Sequence, residues 1–235
     1  MKISVCLATY NGIQFVKKQL DSVLIQLRDD DQVIVVDDRS NDGTVQYLKD
    51  TYGDQIEVYV NEQNLGPIKS FEKAISLAAR DIIFLCDQDD IWLEHKVEKV
   101  LAEFKDPNVM LAVHDSIVVD GDGNTINSSW NAYNQNNVSQ GIIGNIVKNA
   151  FTGCMMAFRK EIKNKILPFP DSIEMHDQWI VLVCKLNKGK VAYIKEPLMQ
   201  YVRHGKNVTG MKRRSPMEQL NGRLGTIKAV LGYRK

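Results

Sequence analysis

Three carboxylates stand within four residues at Asp87, Asp89 and Asp90, directly after the apolar run 82–86. Such crowding repels itself unless something positive is shared among the three. A hard divalent ion, magnesium or manganese, takes oxygen ligands of this kind. A bounded apolar run reads as a buried strand, and ligands gather at the carboxyl ends of strands in open α/β sheets. A second acidic pair, Asp37-Asp38, closes another such run at 32–36. The plainer alternative for the first cluster is a polar turn that caps a helix beginning near Leu93, with Asp90 as the capping residue.

Periodicity supplies the elements that must position these acids. A strand over 2–8 ends in the turn Thr9-Tyr10-Asn11-Gly12. Phe15, Val16, Leu20, Val23, Leu24 and Leu27 then recur at helical spacing. After the second strand, residues 39–44 offer several caps for a helix carrying Val45 and Leu48. A third strand over 56–60, a turn at 64–67 and a third helix over 68–79 lead to the acidic strand. Alternating strands and helices of these lengths imply parallel strands with right-handed crossovers. The acids at 37–38 and 87–90 therefore share one sheet edge with Thr9 and Tyr10, which is how a nucleotide site is assembled.

The phosphate chemistry narrows from what is missing. A dinucleotide-binding unit needs Gly-x-Gly-x-x-Gly after its first strand, and a P-loop needs Gly-x-x-x-x-Gly-Lys-Ser/Thr. The turn after strand one has one glycine, Gly12. Phosphates bound here would have to be neutralised by a cation, and the 87–90 cluster supplies its ligands.

The second half is less regular. Val97, Val100, Leu101 and Phe104 mark a helix, 108–119 an extended segment, and Asp120-Gly121-Asp122-Gly123-Asn124 a hairpin turn lacking the closing Glu of a calcium loop. Residues 127–141 are a polar loop or lid. A buried strand covers 151–158, with Gly153 marking a close approach of backbone or ligand. An apolar helix follows 174–180, and strands cover 190–194 and 198–203. Beyond it, Leu220, Leu224, Ile227 and Leu231 recur at helical spacing among basic residues. Such a helix packs on the domain or lies on an anionic membrane surface.

Bulk composition is that of an ordinary globular chain: 235 residues, 44% hydrophobic, 25% charged and a net charge of +1. Nothing global draws it to nucleic acid. The charge is uneven, since one acid, Glu218, faces nine Lys and Arg from Arg203 onward. No run approaches the roughly 20 apolar residues of a membrane span, and the N-terminus lacks the flanks of a signal peptide. Cys6, Cys86, Cys154 and Cys184 lie in apolar contexts without paired spacing, as reduced core thiols do. The expected setting is cytoplasmic, with peripheral contact at the inner face of the plasma membrane an option for the tail. The Asn-x-Ser/Thr triplets at Asn127, Asn137 and Asn207 are then coincidental.

Taken together, Thr9-Tyr10-Asn11-Gly12, the run from Val35 to Thr44, Asn64-x-Gly66 and Cys86-Asp87-Gln88-Asp89-Asp90-Ile91-Trp92 resemble family 2 glycosyltransferases. Thr152-Gly153-Cys154-Met155, His176-Asp177-x-Trp179 and Tyr201-x-Arg203-His204-Gly205-x-Asn207 are similar to the bacterial rhamnosyltransferase-like branch. Ala8 departs from the pattern, where many relatives carry a hydroxyl residue. The resemblance runs from residue 2 to about 210. It implies an α/β GT-A fold, a Rossmann-like mixed sheet flanked by helices, with a nucleotide-binding half (1–105), an acceptor half (106–210) and a C-terminal helix or tail (211–235).

It also implies roles. Thr9 and Tyr10 lie against the base, and Asp38, with Asp37 the near alternative, accepts from a pyrimidine imide. Asp87 faces the ribose or donor sugar, while Asp89 and His204 hold Mn2+ or Mg2+ on the diphosphate. Asn11, Gly66, Lys69, Gln88, Gly153, His176 and Trp179 are further substrate-binding positions; Trp92 and Trp179 either border the acceptor cleft or pack in the core. Asp177 is the catalytic base, and its place at a helix N-terminus is expected to keep it ionised. The donor would be a UDP- or dTDP-linked sugar and the acceptor a glycan or lipid-linked oligosaccharide. The rival readings are a sugar-1-phosphate nucleotidyltransferase, which wants a Gly- and Arg-rich loop after strand one, and a nucleotide-sugar-binding domain without chemistry.

Overall fold

The computed structural model describes residues 1–205 and 215–233. Asn207 and the expected boundary at 210/211 lie outside the described residues. Strands β1 (Ile3–Thr9), β2 (Gln32–Asp37), β3 (Glu57–Val60) and β4 (Ile82–Asp87) alternate with helices α1 (Val16–Leu24), α2 (Thr44–Tyr52) and α3 (Gly66–Leu77). Then follow β5 (Ile91–Trp92), α4 (Lys96–Glu103), β6 (Val109–Asp120), β7 (Thr125–Asn127), α5 (Trp130–Asn134), α6 (Ile142–Val147), β8 (Met156–Arg159), α7 (Lys160–Ile166), α8 (His176–Leu186), β9 (Lys190–Arg203) and α9 (Pro216–Gly232).

All but β7, which pairs with β6, join one sheet in the order β3-β2-β1-β4-β8-β6-β9-β5. The first four strands are parallel, as the alternation implies. The sheet is mixed overall, because β8 runs antiparallel to both β4 and β6, and β5 antiparallel to β9. Side chains alternate across the pleat. Ile3, Val5 and Leu7 join α1, α2 and α4 on one face, and Cys6, Ile34 and Leu85 join α3, α7 and α8 on the other. Helices on both faces explain why these strands read as continuous apolar runs. All four cysteines are free and buried, as expected of core thiols.

Three expectations from the second half change. The run 151–158 is a strand only over Met156–Arg159; Gly153–Met155 is a single helical turn. Residues 190–203 are one strand, not two, and its pairing with β6 shifts register around Pro197, which has no N–H to give the ladder. Residues 127–141 contain α5, bound down by Asp115: Ser129 Oγ donates to it at 2.6 Å and Asn131 N at 3.2 Å. Trp130 packs on Tyr201 with ring centroids 4.2 Å apart. The Asp120–Asn124 turn is a hairpin turn, with Asp120 accepting from the backbone of Asp122 and Asn124.

Helix α9 opens on a capping box between Ser215 and Glu218 and lies against the segment leading into α8. The contact is close because the facing residues are small. A Cβ on Gly225 would sit 2.2 Å from the Ser172 carbonyl, and one on Gly222 would sit 1.9 Å from the Glu174 carboxylate. Gly225→Ala is accordingly expected to destabilise the protein by about 1–3 kcal/mol, since backbone cannot move aside as a side chain does; thermal unfolding checks it, and an unchanged melting temperature would contradict the packing. No helix among the described residues is long and apolar enough to cross a membrane.

Candidate active site

The parallel register brings the strand ends together: Thr9 pairs with Asp37 across β1 and β2, and Ala8 with Asp87 across β1 and β4. Gln88 ties the two turns, its Oε1 accepting from Thr9 Oγ1 at 2.7 Å and from Tyr10 N at 2.9 Å. Tyr10 itself stays exposed beside the edge. Asn11, with φ at +49°, accepts from Asn41 N through its side chain and donates its own N–H to Ser40 Oγ. The turns after β1 and β2 are thus one hydrogen-bonded unit.

The two acids after β2 have different fates. Asp37 is fully buried and closed off by Ser40, whose N–H and hydroxyl donate to its two oxygens. Burial pushes its carboxyl up. It anchors the loop, which corrects the expectation that it touches substrate. Asp38 reaches the turn at 64–66, accepting from Asn61 Nδ2 at 2.9 Å, Leu65 N at 2.8 Å and Gly66 N at 2.7 Å. Gly66, at φ +81°, turns its N–H toward that carboxylate from a left-handed conformation. Lys69, one turn further on α3, points to Glu72 at 2.9 Å and Asp171 at 3.4 Å.

At the end of β4 the acids also separate. Asp89 meets His204 from the far end of the sheet, with Oδ2 and Nε2 2.7 Å apart and both side chains mostly buried. His204 stacks on Phe15 at 4.1 Å, which fixes its ring plane. Asp87 is part-exposed; burial first, and then the Asp89 charge, push its carboxyl up. Asp90 is buried, accepts from Val202 N at 3.3 Å, and has an Oδ2 with no partner among the described residues. It caps nothing: α4 starts at Lys96 without a side-chain cap.

A carboxylate and an imidazole in contact, beside a second carboxylate raised by burial and by its neighbour's charge, form a donor set that suits a divalent cation. One oxygen each of Asp87 and Asp90 and the Cys154 sulfur also lie within 4.8 Å of one another. That trio suits a hard ion poorly. Burial pushes the Cys154 thiol well up, so it stays protonated. The Lys96 ammonium, buried and pushed down to about 8 by that burial, lies 3.0 Å from the Cys154 carbonyl and 4.1 Å from the Trp92 ring. When protonated, its charge works against the rise of the Asp87 carboxyl.

Opposite this edge, the first turn of α8 presents His176 and Asp177. Asp177 Oδ1 accepts from Gln178 N at 2.6 Å and Asn149 Nδ2 at 2.9 Å. Burial pushes its carboxyl up to about 6 against these hydrogen bonds. The helix N-terminus does not outweigh desolvation, contrary to expectation. Asp177 is also close enough to Asp87 for its charge to raise that carboxyl. The two halves of the chain therefore face one cleft. His176 stacks on Phe71 at 4.3 Å, is pushed down to about 4 by burial, and has an Nε2 without a partner among the described residues. The close approach at Gly153 is to this ring: a Cβ there would sit 2.8 Å from Nε2.

Trp179 does not border the cleft. It is buried, donates from Nε1 to the Ile166 carbonyl at 3.0 Å and packs edge-on against Tyr233. Trp92 is equally buried, against Phe84. Both are core residues, because each lies on the inward stripe of its element. Sequence reasoning missed Asn149, Phe15 and Lys96. Lys96 had a signal, since it lies four residues before buried Val100 on the same helix face; Asn149, in a polar stretch, had none.

Comparison with known proteins agrees with this architecture. The model of "Glycosyl transferase family 2" matches residues 4–167. An uncharacterized glycosyltransferase of Nostoc sp. is 26% identical over 216 residues, covering 88% of this chain and 66% of that protein. A Bacillus subtilis glycosyltransferase named for teichuronic acid biosynthesis, TuaG, is 26% identical over 204 residues, covering 85% and 78%. Among solved structures, S. aureus TarS 1-349 in complex with UDP-GlcNAc superposes with a TM-score of 0.73 at 19% identity, over 97% of this chain and 66% of that one. The mannosyltransferase PcManGT of Pyrobaculum calidifontis, in complex with GDP-Man and Mn2+, gives 0.62 at 18% identity, over 99% and 70%. These likenesses establish the GT-A fold. The chain spans about two thirds of the Nostoc protein and about a third of two Rickettsia glycosyltransferases it also matches. With the family model covering well over half of its length, the chain belongs to glycosyltransferase family 2.

Proposed function

We propose that the chain is a metal-dependent, inverting glycosyltransferase that moves a sugar from a nucleoside-diphosphate sugar to a hydroxyl of a growing bacterial surface glycan. The observation that carries this reading is the cleft with the Asp89–His204 pair on one side and Asp177, raised to about 6, on the other. The donor half, 1–105, takes the nucleotide. Thr9 and Tyr10 lie along the base, and Asp38 accepts its imide N–H. A carboxylate has about four acceptor positions, and three of Asp38's are used by the 61–66 segment.

Asp89 and His204 would hold the cation, Mn2+ or Mg2+, with Asp87 turned to the ribose or donor sugar. When bound, the ion supplies electrostatic stabilisation of the departing diphosphate. Lys96 keeps that corner from becoming wholly negative. In the acceptor half, 106–210, Asp177 takes the proton from the acceptor hydroxyl as its oxygen bonds to the anomeric carbon and the bond to the diphosphate breaks. Asn149 holds Asp177 in place. His176, neutral at ordinary pH, offers its unpartnered Nε2 beside Gly153 as an acceptor-side contact.

A UDP- or dTDP-linked donor and a glycan or lipid-linked oligosaccharide acceptor fit the reading, which is supported by TarS and PcManGT being bound to UDP-GlcNAc and GDP-Man. The likeness of 152–155 and 201–207 to the rhamnosyltransferase-like branch adds dTDP-rhamnose to the candidates. The test is a screen of nucleotide sugars with manganese, scoring thermal stabilisation and hydrolysis. One donor is expected to raise the melting temperature and be slowly hydrolysed; a chain that neither binds nor hydrolyses any of them would sink the proposal.

A further inference from the structure

Helix α9 is apolar on two opposite sides. Its inward side is built of small residues, Gly222, Gly225, Thr226 and Ala229, seated against α8 and the segment before it. Its outward side carries Met217, Leu220, Leu224, Ile227 and Leu231, all exposed, with Leu231 at 81%. At 100° per residue these five fall within one narrow stripe, opposite the buried face. Arg223 and Lys228 lie at its two borders.

The stripe does not stop at α9. Neighbouring α6 packs against it, and Arg223 Nε donates to the Val147 carbonyl at 3.0 Å. Val147 and Ile143, one turn apart on α6, are themselves exposed, Ile143 at 79%. Of the fourteen exposed large apolar residues among those described, these two helices carry seven. Such concentration on one surface marks an interaction site.

Charge selects the occupant. Residues 211–235 carry seven Lys and Arg against Glu218 alone, with Lys212, Arg213 and Arg214 before the helix in sequence and Arg234 and Lys235 after it. A second copy would bring the same excess against itself. An anionic lipid surface attracts it, and a basic-bordered apolar helix lies in the interface plane with its long cationic side chains reaching the headgroups.

We propose that the joint face of α6 and α9 docks the chain on an anionic lipid bilayer. The face is set beside the acceptor side of the cleft. Two residues past α6, Asn149 holds Asp177, and on the inner side of α9 Thr226 donates to Gln178, the residue after it. Docking would thus bring the proposed base close to the membrane, where a lipid-linked acceptor would lie. That last step rests on the glycosyltransferase reading; the docking itself does not.

The experiment floats the full chain with vesicles of phosphatidylcholine alone and of phosphatidylcholine mixed with an equal part of phosphatidylglycerol. Binding is expected to the anionic vesicles and to weaken with added salt. The double variant Leu224→Glu, Leu231→Glu, at exposed positions, is expected to keep the wild-type melting temperature and its stabilisation by nucleotide sugar. Its vesicle binding should fall by about tenfold or more, the effect of burying one leucine. Absence of binding to anionic vesicles, or equal binding by the variant, overturns the proposal. A concentration-dependent dimer in light scattering, lost in the variant and without vesicle binding, would overturn it in favour of a second copy. Because vesicle binding needs no donor, its failure is distinguishable from failure of the donor screen.

Discussion

Asp177→Asn is expected to lower the rate of sugar transfer by about 10²–10⁴-fold, the usual contribution of a general base, while donor binding persists. The substitution is conservative in the fold. Oδ1 of residue 177 accepts from Gln178 N and Asn149 Nδ2, and an amide oxygen keeps both bonds. What is lost is the capacity to take a proton. The pH behaviour supplies a second readout. With the folded carboxyl at about 6, kcat/KM should fall about tenfold per pH unit below that value as the base becomes protonated, and the variant should lack this limb. Stability moves the other way. Between the unfolded carboxyl near 3.8 and the folded one near 6, the folded state holds a proton that the unfolded state has released. Asp177 therefore erodes stability as pH rises through that window, and above it the buried carboxylate's full cost remains. The variant should lose less stability than wild type between pH 4 and 7 in thermal unfolding, by about the margin that burial imposes. Near-normal turnover in Asp177→Asn would remove the residue from the mechanism.

How much of this was legible differs between the halves of the chain, for physical reasons. The strands β1, β2 and β4 are covered on both faces, so each reads as an unbroken apolar run, and their ends coincide with the residues proposed to bind the donor. Thr9, Asp38, Asp87 and Gln88 could be placed on one edge because parallel strands joined by helices must end together. The second half of the chain offers no such rule. β8 follows a helical turn at Gly153–Met155, and that turn and the strand are alike apolar, so composition cannot separate them. Residues 127–141 read as a loop because Asn, Ser and Gln favour turns, yet Asp115, fourteen residues before Ser129, holds them as α5.

Individual side chains show the same limit. Asp37 and Asp38 are neighbours of identical type, and Ser40, three residues on, decides that the first is sealed and the second reaches the 64–66 turn. Trp179 sits two residues after Asp177, and a rotation of about 200° along the helix turns it into the core. Asp177 lies in the first turn of the helix as expected, but burial reverses the expected direction of its titration, against the hydrogen bonds from Gln178, Asn149 and Gly153. Local sequence carries the backbone course and the residue types. Desolvation is a sum over neighbours from the whole chain.

The second large effect is expected at the other wall of the cleft. Wild-type protein should show a rise in melting temperature with a nucleoside diphosphate only when manganese is present, and Asp89→Asn should abolish that rise. A ligand that binds only the folded state stabilises by mass action, about 2.7 kcal/mol at a hundredfold excess over its dissociation constant, so the shift in wild type should be readily measured. The substitution changes one oxygen for an amide that a cation does not accept, and it leaves the approach of His204 Nε2, now 2.7 Å from Oδ2, sterically unaltered. His204→Gln should weaken the response in part, since Asp89 remains and Phe15 still walls the position. The order of effects matters. If His204→Gln abolished the response while Asp89→Asn kept it, the histidine and not the acidic turn would be the principal ligand. If both variants responded as wild type does, the cation would lie elsewhere, and the buried group of Asp87, Asp90 and Cys154 would be the next place to look. Asp90→Asn then decides between the two corners. With the cation at Asp89, Asp90→Asn should leave the manganese response intact, because its carboxyl, raised by burial, accepts from the Val202 backbone inside the protein.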